Sequence, residues 1–126
     1  ALGSFESTRF ATGRKNANLF EIYGEKGAVA FNLERMNELE FLDATLPVAE
    51  QGFRTVLVTE AEHPYLAAWW PPGHVIGYEH TFTHAVADFI KAVVSTQPIH
   101  PNFDDGVGTL RVLEAAKRSA STGTAP

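Results

Sequence analysis

The chain of 126 residues has the length of one domain, and 44% of it is hydrophobic while 20% is charged. No apolar run is long enough to span a bilayer, so we expect no membrane partner. The net charge of -5 comes with 10 scattered Lys and Arg residues, which excludes the basic stripe that nucleic-acid binding needs. The absence of cysteine excludes disulfides, a thiolate nucleophile and a cysteine metal site, and a soluble cytoplasmic protein is the default expectation.

The first half of the sequence has the pattern of β-strands separated by turn residues. Weak alternation predicts a strand over residues 4–11, and two glycines bound the turn of a hairpin between residues 19–23 and 28–34. Such turns commonly require positive φ, which glycine supplies. Further apolar runs predict strands at 38–43 and 53–59. We therefore expect about five strands, mostly antiparallel because their connections are too short for helical crossovers.

The second half changes to a helical period. Apolar residues between positions 78 and 95 recur at steps of four, three and four, which predicts an amphipathic helix. These residues are Phe82, Val86, Phe89 and Val93. A second helix is expected from Asp104 onward, because carboxylates favour the positive N-terminal end of a helix. Its expected buried stripe consists of Val107, Leu110, Leu113 and Ala116. We expect one domain over residues 1–118 and a flexible tail over residues 119–126.

Together these elements predict an α+β domain, an open and largely antiparallel sheet of about five strands with two helices packed on one face. Five strands about 4.8 Å apart span roughly 20 Å, which two helices about 10 Å wide cover on one side only. Several strands nevertheless carry apolar residues on both sides, as with Ile22 and Tyr23 in the first hairpin. A sheet of this kind usually meets another protein surface. We therefore expect a homo-oligomer through the open sheet face, a missing domain, or both.

His80 and His84 are four residues apart on the first predicted helix, a spacing at which two imidazoles can share a metal ion. No Glu follows the first His as in the H-E-x-x-H motif, and no third ligand is specified. The two histidines lie opposite the apolar stripe, so we expect them to face away from the sheet. A structural or interface role is the favoured interpretation and no metal is predicted; a metal site is the alternative.

The stretch WWPPGHVIGYEH, residues 69–80, connects the last predicted strand to this helix. Two prolines restrict the backbone before His74, and a glycine on each side of His74 gives the backbone freedom again. A histidine held in this way is the best candidate for a functional residue. Trp69 and Trp70 have a simpler interpretation, because aromatic residues in such a loop more often cover a sheet edge than bind a ligand.

The turn GRKN, residues 13–16, concentrates two positive charges. A solvated turn is the simpler interpretation, and an anion or partner contact is the alternative. Neither G-x-G-x-x-G nor G-x-x-x-x-G-K-[ST] occurs, so the chain has no dinucleotide-binding or phosphate-binding loop of these types. It also has no nucleophile elbow and no paired-carboxylate cleft, and we assign it no catalytic residue.

Three stretches taken together resemble the C-terminal domain of the glucose-fructose oxidoreductase / inositol dehydrogenase (Gfo/Idh/MocA) family. They are residues 6–41 (ESTRFATGRKNANLFEIYGEKGAVAFNLERMNELEF), 69–93 (WWPPGHVIGYEHTFTHAVADFIKAV) and 101–120 (PNFDDGVGTLRVLEAAKRSA). The match covers most of the chain in the family's order, although no single piece is diagnostic. Members join an N-terminal Rossmann domain, which binds NAD(P), to a C-terminal domain whose open sheet shapes the sugar or polyol pocket and packs against other subunits.

The departures from the family pattern matter as much as the resemblance. In the family, the glycine fingerprint, the lysine of the Glu-Lys-Pro motif and the catalytic His/Asp pair lie upstream of these stretches, and this chain contains none of them. The resemblance therefore implies part of an NAD(P)-dependent oxidoreductase for a sugar, polyol or related alcohol. NAD or NADP would bind in the missing Rossmann domain, with no cofactor in this part, and whether the chain alone is an enzyme stays open.

Four residues are our candidates for substrate binding: His74, Trp69, Trp70 and His80. Imidazoles can form hydrogen bonds with hydroxyls, and indoles can stack on a sugar ring. A second class of function is kept as the alternative, a free-standing dimeric interaction or small-ligand-binding module with no catalytic activity. The substrate, the choice between NAD and NADP and the number of subunits stay open.

Overall fold

The structure, a computed structural model, describes residues 2–123. These residues divide into two compact units between Gly77 and Tyr78. The first unit contains all the strands of the described chain, and the second contains both of its α-helices. The α+β class predicted from the sequence is confirmed, and the packing of the helices on one face of the sheet stays a prediction.

The first unit is built on a four-stranded antiparallel sheet with the order β1-β2-β3-β4. The strands are β1 (Leu19–Gly24), β2 (Gly27–Asn32), β3 (Glu38–Asp43) and β4 (Arg54–Leu57). The expectation of a fifth strand at residues 4–11 is wrong, because these residues form no ladder. Their two large apolar side chains, Phe5 and Phe10, are 97% and 92% exposed, so no burial holds the segment against the sheet.

Close approach of two strands explains a glycine of the first hairpin. Gly27 stands opposite Asp43 on β3, and a Cβ atom there would lie 2.5 Å from the carbonyl oxygen of Leu42. Positive φ, expected for the glycines of this hairpin, is not the reason, because the described glycines with positive φ are Gly13, Gly73 and Gly123. Glycine is needed in β2 because the neighbouring backbone leaves no room for a side chain.

Replacing Gly27 with alanine is expected to destabilise the protein by about 1–3 kcal/mol, because the added methyl forces β2 and β3 apart. Gly52 offers a matched control, since a Cβ there would meet nothing within 4 Å. The G52A variant should change the free energy of unfolding by less than about 0.5 kcal/mol. Urea unfolding measures both variants, and equal midpoints would contradict the proposed clash.

The register divides the side chains of the sheet between two faces of different character. The first, the phenylalanine face, carries the apolar residues Phe20, Ile22, Val29, Phe31, Leu39, Phe41 and Val56, with Arg54 opposite Phe41. The rings of Phe20 and Phe31 stand 5.3 Å apart, centroid to centroid, and the Arg54 guanidinium lies 5.2 Å from the centre of the Phe41 ring. The second, the acidic face, carries Leu19, Glu21, Tyr23, Ala30, Glu38 and Glu40.

The edge strand β1 confirms that the sheet is apolar on both sides. Ile22, on the phenylalanine face, is 60% exposed, and Tyr23, on the acidic face, is 69% exposed. A shallow concavity on the acidic face is lined by the glutamates of β1 and β3 and by Arg35. Large apolar side chains on both faces therefore remain in contact with solvent in this chain.

The two helices are α1 (Tyr78–Ser95) and α2 (Phe103–Thr122), and α1 has the predicted bounds. A capping box begins α2: the Asn102 side chain accepts from the backbone N–H of Asp105, whose carboxylate accepts from the N–H of Asn102. The Nδ1 atom of His100 lies 2.8 Å from the same carboxylate. These bonds, the one from Asn102 above all, hold the pKa of Asp105 below its ordinary value.

The C-terminal end of α2 differs from the sequence prediction. Residues 119–122, expected in the tail, are helical, and Gly123 ends the helix in the left-handed conformation with φ 68°. The hydroxyls of Ser121 and Thr122 donate to the carbonyl of Arg118, so this carbonyl near the helix end has hydrogen-bond donors. Residues 124–126 of the expected tail lie outside the described residues.

The predicted burial of the helices is not found. The apolar stripe of α1 is more than half exposed, and three of the four residues expected to be buried in α2 are 45–60% exposed. On α1 the partly covered side chains include His80, His84 and Asp88. The helical period was predicted correctly, but periodicity identifies a face suited to burial and not what covers it. Within residues 2–123, no helix is long and apolar enough to cross a membrane.

Candidate functional site

The segment between β4 and α1 folds through successive tight turns around one buried leucine. The backbone N–H of Leu66 donates to the carbonyl of His63, and the N–H of Trp69 donates to the carbonyl of Leu66. Leu66 is only 5% exposed. Tyr65, immediately before it, has a φ of 69°, a conformation that bulky residues rarely adopt. The turn at Leu66–Ala68 leads directly into the aromatic loop, residues 69–77.

His74 lies directly after a proline-glycine turn in the aromatic loop. Its backbone N–H donates to the carbonyl of Pro71 over 3.3 Å, and Gly73 has a φ of 86°. A proline followed by a residue with positive φ is the pattern of a type II turn, which only glycine adopts readily at that position. Gly73 therefore forms a tight turn before His74, whereas Gly77 is not among the glycines with positive φ.

The ring of His74 is oriented by the same carbonyl. Its Nδ1 atom lies 2.9 Å from the oxygen of Pro71. Because a carbonyl oxygen can only accept, Nδ1 carries the hydrogen of this bond, and Nε2 of the neutral ring is then an acceptor. The residue is exposed. The turn therefore presents an imidazole nitrogen suited to a ligand hydroxyl.

Two side chains outside the aromatic loop hold it in place, and neither was predicted from the sequence. Asn37 donates from Nδ2 to the carbonyl of Ile76 over 2.8 Å and accepts from the N–H of Ile76 over 3.0 Å. The Oγ1 atom of Thr59, a residue only 2% exposed, accepts from the N–H of Gly73 over 3.1 Å. No local signal could reveal these bonds, because the Asn37 partner is 39 residues away in sequence.

The structure places three of the four predicted site residues on one loop. Trp69 is partly buried, Trp70 is 62% exposed, and His74 follows in the proline-glycine turn. His80 belongs to α1, in the second unit, where its Nδ1 atom lies 3.8 Å from the Glu79 carboxylate and its side chain is 21% exposed. An exposed indole and an oriented imidazole on one loop can together stack on a ring and bind its hydroxyls.

The metal-site alternative gains no support from the described chain. Between residues 2 and 123 there is no group of three or more His, Cys, Asp or Glu that could hold a metal ion. His80 and His84 share one helix, but the spacing of two imidazoles does not supply a complete coordination shell.

The GRKN turn is bound within the chain by one carboxylate. The backbone N–H groups of Lys15 and Asn16 donate to Oε1 of Glu34 over 2.9 and 3.0 Å, and Arg14 forms an ion pair with Oε2 over 3.5 Å. These bonds, those to Lys15 and Asn16 first, lower the pKa of Glu34 below its ordinary value. The anion contact considered for this turn is therefore made by the chain itself.

The attachment of the GRKN turn is expected to weaken in acid. Because the folded-state pKa of Glu34 is depressed, its carboxylate stabilises the fold above the ordinary glutamate pKa of about 4.3, and this is lost as pH falls through the lower folded-state value. Hydrogen-exchange protection of the Lys15 and Asn16 amides should fall over that range. The E34A variant, which removes the acceptor, should have weak protection at every pH, whereas the E25A control should behave as the parent. Equal protection in E34A and the parent at neutral pH would contradict this role.

The chain is related to part of an oxidoreductase. No known protein-family model matches it. A levoglucosan dehydrogenase from Pseudarthrobacter phenanthrenivorans is 40% identical over 122 residues, which cover 96% of this chain and 31% of that enzyme.

Solved structures have the same fold over nearly the whole chain. An oxidoreductase domain protein from Kribbella flavida is 50% identical with a TM-score of 0.90, over 94% of this chain and 32% of its own. A levoglucosan dehydrogenase in complex with NADH is 37% identical with a TM-score of 0.87, over 94% of this chain and 33% of its own. This chain therefore spans about one third of the length of the relatives that it matches.

Proposed function

We propose that this chain is the C-terminal part of an NAD(P)-dependent oxidoreductase of the glucose-fructose oxidoreductase / inositol dehydrogenase family, acting in the cytoplasm on a sugar, polyol or related alcohol. The observation that carries the proposal is the similarity of 96% of the chain to about a third of a levoglucosan dehydrogenase. The fold match to an NADH complex favours NAD over NADP as the cofactor. The cofactor would bind to a Rossmann domain outside these residues.

The aromatic loop would border the substrate pocket. Nε2 of His74 would accept a hydrogen bond from a sugar hydroxyl, and the exposed face of Trp70, with Trp69 beside it, would stack on the apolar side of the ring. His80 is a further candidate on α1. In the complete enzyme, hydride would pass from the substrate carbon to the nicotinamide, and residues upstream of this chain would take the proton. The residues of this chain would bind and orient the substrate.

The full-length protein tests the proposal directly. Its reading frame should extend upstream by about 200 residues or more and contain the glycine fingerprint of a dinucleotide-binding domain. Purified full-length protein should reduce NAD⁺ in the presence of levoglucosan or another sugar or polyol. A reading frame without that fingerprint, or failure to bind NADH, would exclude the oxidoreductase proposal.

The H74A variant of the full-length protein is expected to lower kcat/KM for the sugar by about tenfold, the size of one lost hydrogen bond. The loss should lie mainly in KM if the bond is equally strong in the ground state and the transition state. His100 offers a matched control, since it is exposed and lies before α2, outside the aromatic loop. Steady-state kinetics of H74A and H100A measure the difference, and an unchanged kcat/KM in H74A would remove His74 from the pocket.

The sheet would form the interface of a homo-oligomer. Ile22 and Tyr23 are neighbours on the edge strand, point to opposite faces and are each at least 60% exposed. Apolar surface on two faces of one sheet is more than a monomer usually leaves in water. The helices of this chain and the missing domain could cover one face, and a second copy would then cover the other.

Aspartate substitutions distinguish the two faces. The variant on the face that a second copy covers, I22D or Y23D, is expected to weaken self-association by about tenfold or more. In that variant a charge would be buried at the interface. Val48 is 84% exposed outside the sheet strands, so V48D is the control. Sedimentation velocity over a range of concentrations measures the change. If neither I22D nor Y23D differs from V48D, the sheet is not the interface.

The exposed sheet also supports the second candidate function, a free-standing dimeric interaction or small-ligand-binding module without catalytic activity. The same sedimentation result would be obtained for that module. The two functions differ in their requirement for NADH, which a module without a Rossmann domain would not bind. NADH binding by the full-length protein, measured by calorimetry, therefore separates them.

A further inference from the structure

Asn37 and Thr59 stand at neighbouring strand ends of the sheet. Glu38, the first residue of β3, is paired with Leu57, the last residue of β4. The N–H of Val58 then donates to the carbonyl of Asn37 over 2.8 Å, which extends the pairing by one residue beyond both strands. Asn37 therefore lies on backbone that this pairing fixes, and Thr59 directly follows the last paired residue.

These two side chains hold opposite ends of the segment that carries His74. Thr59 binds the N–H of Gly73, and Asn37 binds both the N–H and the carbonyl of Ile76. The backbone N–H and the Nδ1 atom of His74 both contact the carbonyl of Pro71. Those local bonds orient the ring within its turn, whereas the bonds from Asn37 and Thr59 fix the turn relative to the sheet.

The chemistry of the two anchors is specific. A primary amide is a donor and an acceptor at once, so Asn37 can pair with both backbone groups of one residue in the manner of a strand. Aspartate has no donor for the carbonyl of Ile76 and would place like partial charges together. Thr59 is 2% exposed, so replacing its hydroxyl with a methyl would leave the N–H of Gly73 without its present partner.

We propose that Asn37 and Thr59 are positioning residues, which set the place of His74 in the substrate pocket by fixing both ends of residues 73–76 to the sheet. This inference rests on the proposed function of the aromatic loop. Both residues would act on the substrate through the backbone of the loop and not by direct contact. Their loss acts on the substrate only through the position of His74.

The experiment uses the full-length protein with the variants T59V, T59S and N37D. Valine matches the shape of threonine without the hydroxyl, and serine restores the hydroxyl. Thr55 lies on β4 and is exposed, so T55V is the matched control for the same substitution. Two quantities are measured: hydrogen-exchange protection of the Gly73 and Ile76 amides, and the steady-state constants with levoglucosan and NAD⁺ as the probes.

We expect T59V to speed exchange at Gly73, and N37D to speed exchange at Ile76, by about tenfold in each case, the size of one lost hydrogen bond. The KM for levoglucosan should rise by about fivefold to tenfold in both variants, while kcat and the KM for NAD⁺ stay near their parent values. T59S should restore both the protection and the KM. The T55V control should change neither.

Unchanged exchange at Gly73 in folded T59V would overturn the inference, because the hydroxyl would not then hold the loop. Faster exchange with an unchanged KM would also overturn it. In that case, H74A separates the two proposals. A reduced kcat/KM in H74A would show that the loop borders the pocket although Asn37 and Thr59 do not position it. An unchanged kcat/KM would also exclude the loop from the pocket. If N37D does not fold, the comparison of T59V with T59S decides the outcome alone.

Discussion

The antiparallel pairing of β3 with β4 is the constraint on which the candidate site depends. It places Asn37 and Thr59 at adjacent strand ends, and from there their side chains bind the backbone on either side of His74. The aromatic loop has little burial of its own, and Leu66 and Thr59 are the buried residues nearest to it in sequence. A loop of this kind is fixed by hydrogen bonds to a rigid scaffold, because few apolar contacts are available to hold it.

The distribution of apolar surface is the second constraint. Apolar side chains remain exposed on both faces of the edge strand and along the predicted stripes of α1 and α2. Burial of such side chains is the main favourable contribution to folding and to stable association, so this surface is suited to further protein contacts. The relatives agree with this picture, since about two thirds of their length lies outside the matched region.

Local patterns predicted most of the elements because they depend on neighbours in sequence. The helical period gave α1 its bounds, and the glycines around Glu25 gave the first hairpin. The prediction of a fifth strand was wrong because the apolar side chains that alternate at residues 4–11 are not buried. The end of α2 was placed too early because basic residues favour the last turn of a helix but do not terminate it. Of the site, the prolines and glycines around His74 were identified from the sequence, whereas the turn that they form and the contacts of Asn37 and Thr59 were not.

The sequence by itself determined the α+β class, the restricted backbone before His74 and the two-sided apolar character of the sheet, because each follows from side-chain chemistry over a few consecutive residues. Only the tertiary structure decided why Gly27 is a glycine, which carboxylate binds the GRKN turn and what holds His74 in place. Each of these depends on an approach between segments distant in sequence, such as the 39 residues between Asn37 and Ile76. Hydrogen bonds act over about 3 Å, so folding has to bring the partners together before such an interaction exists.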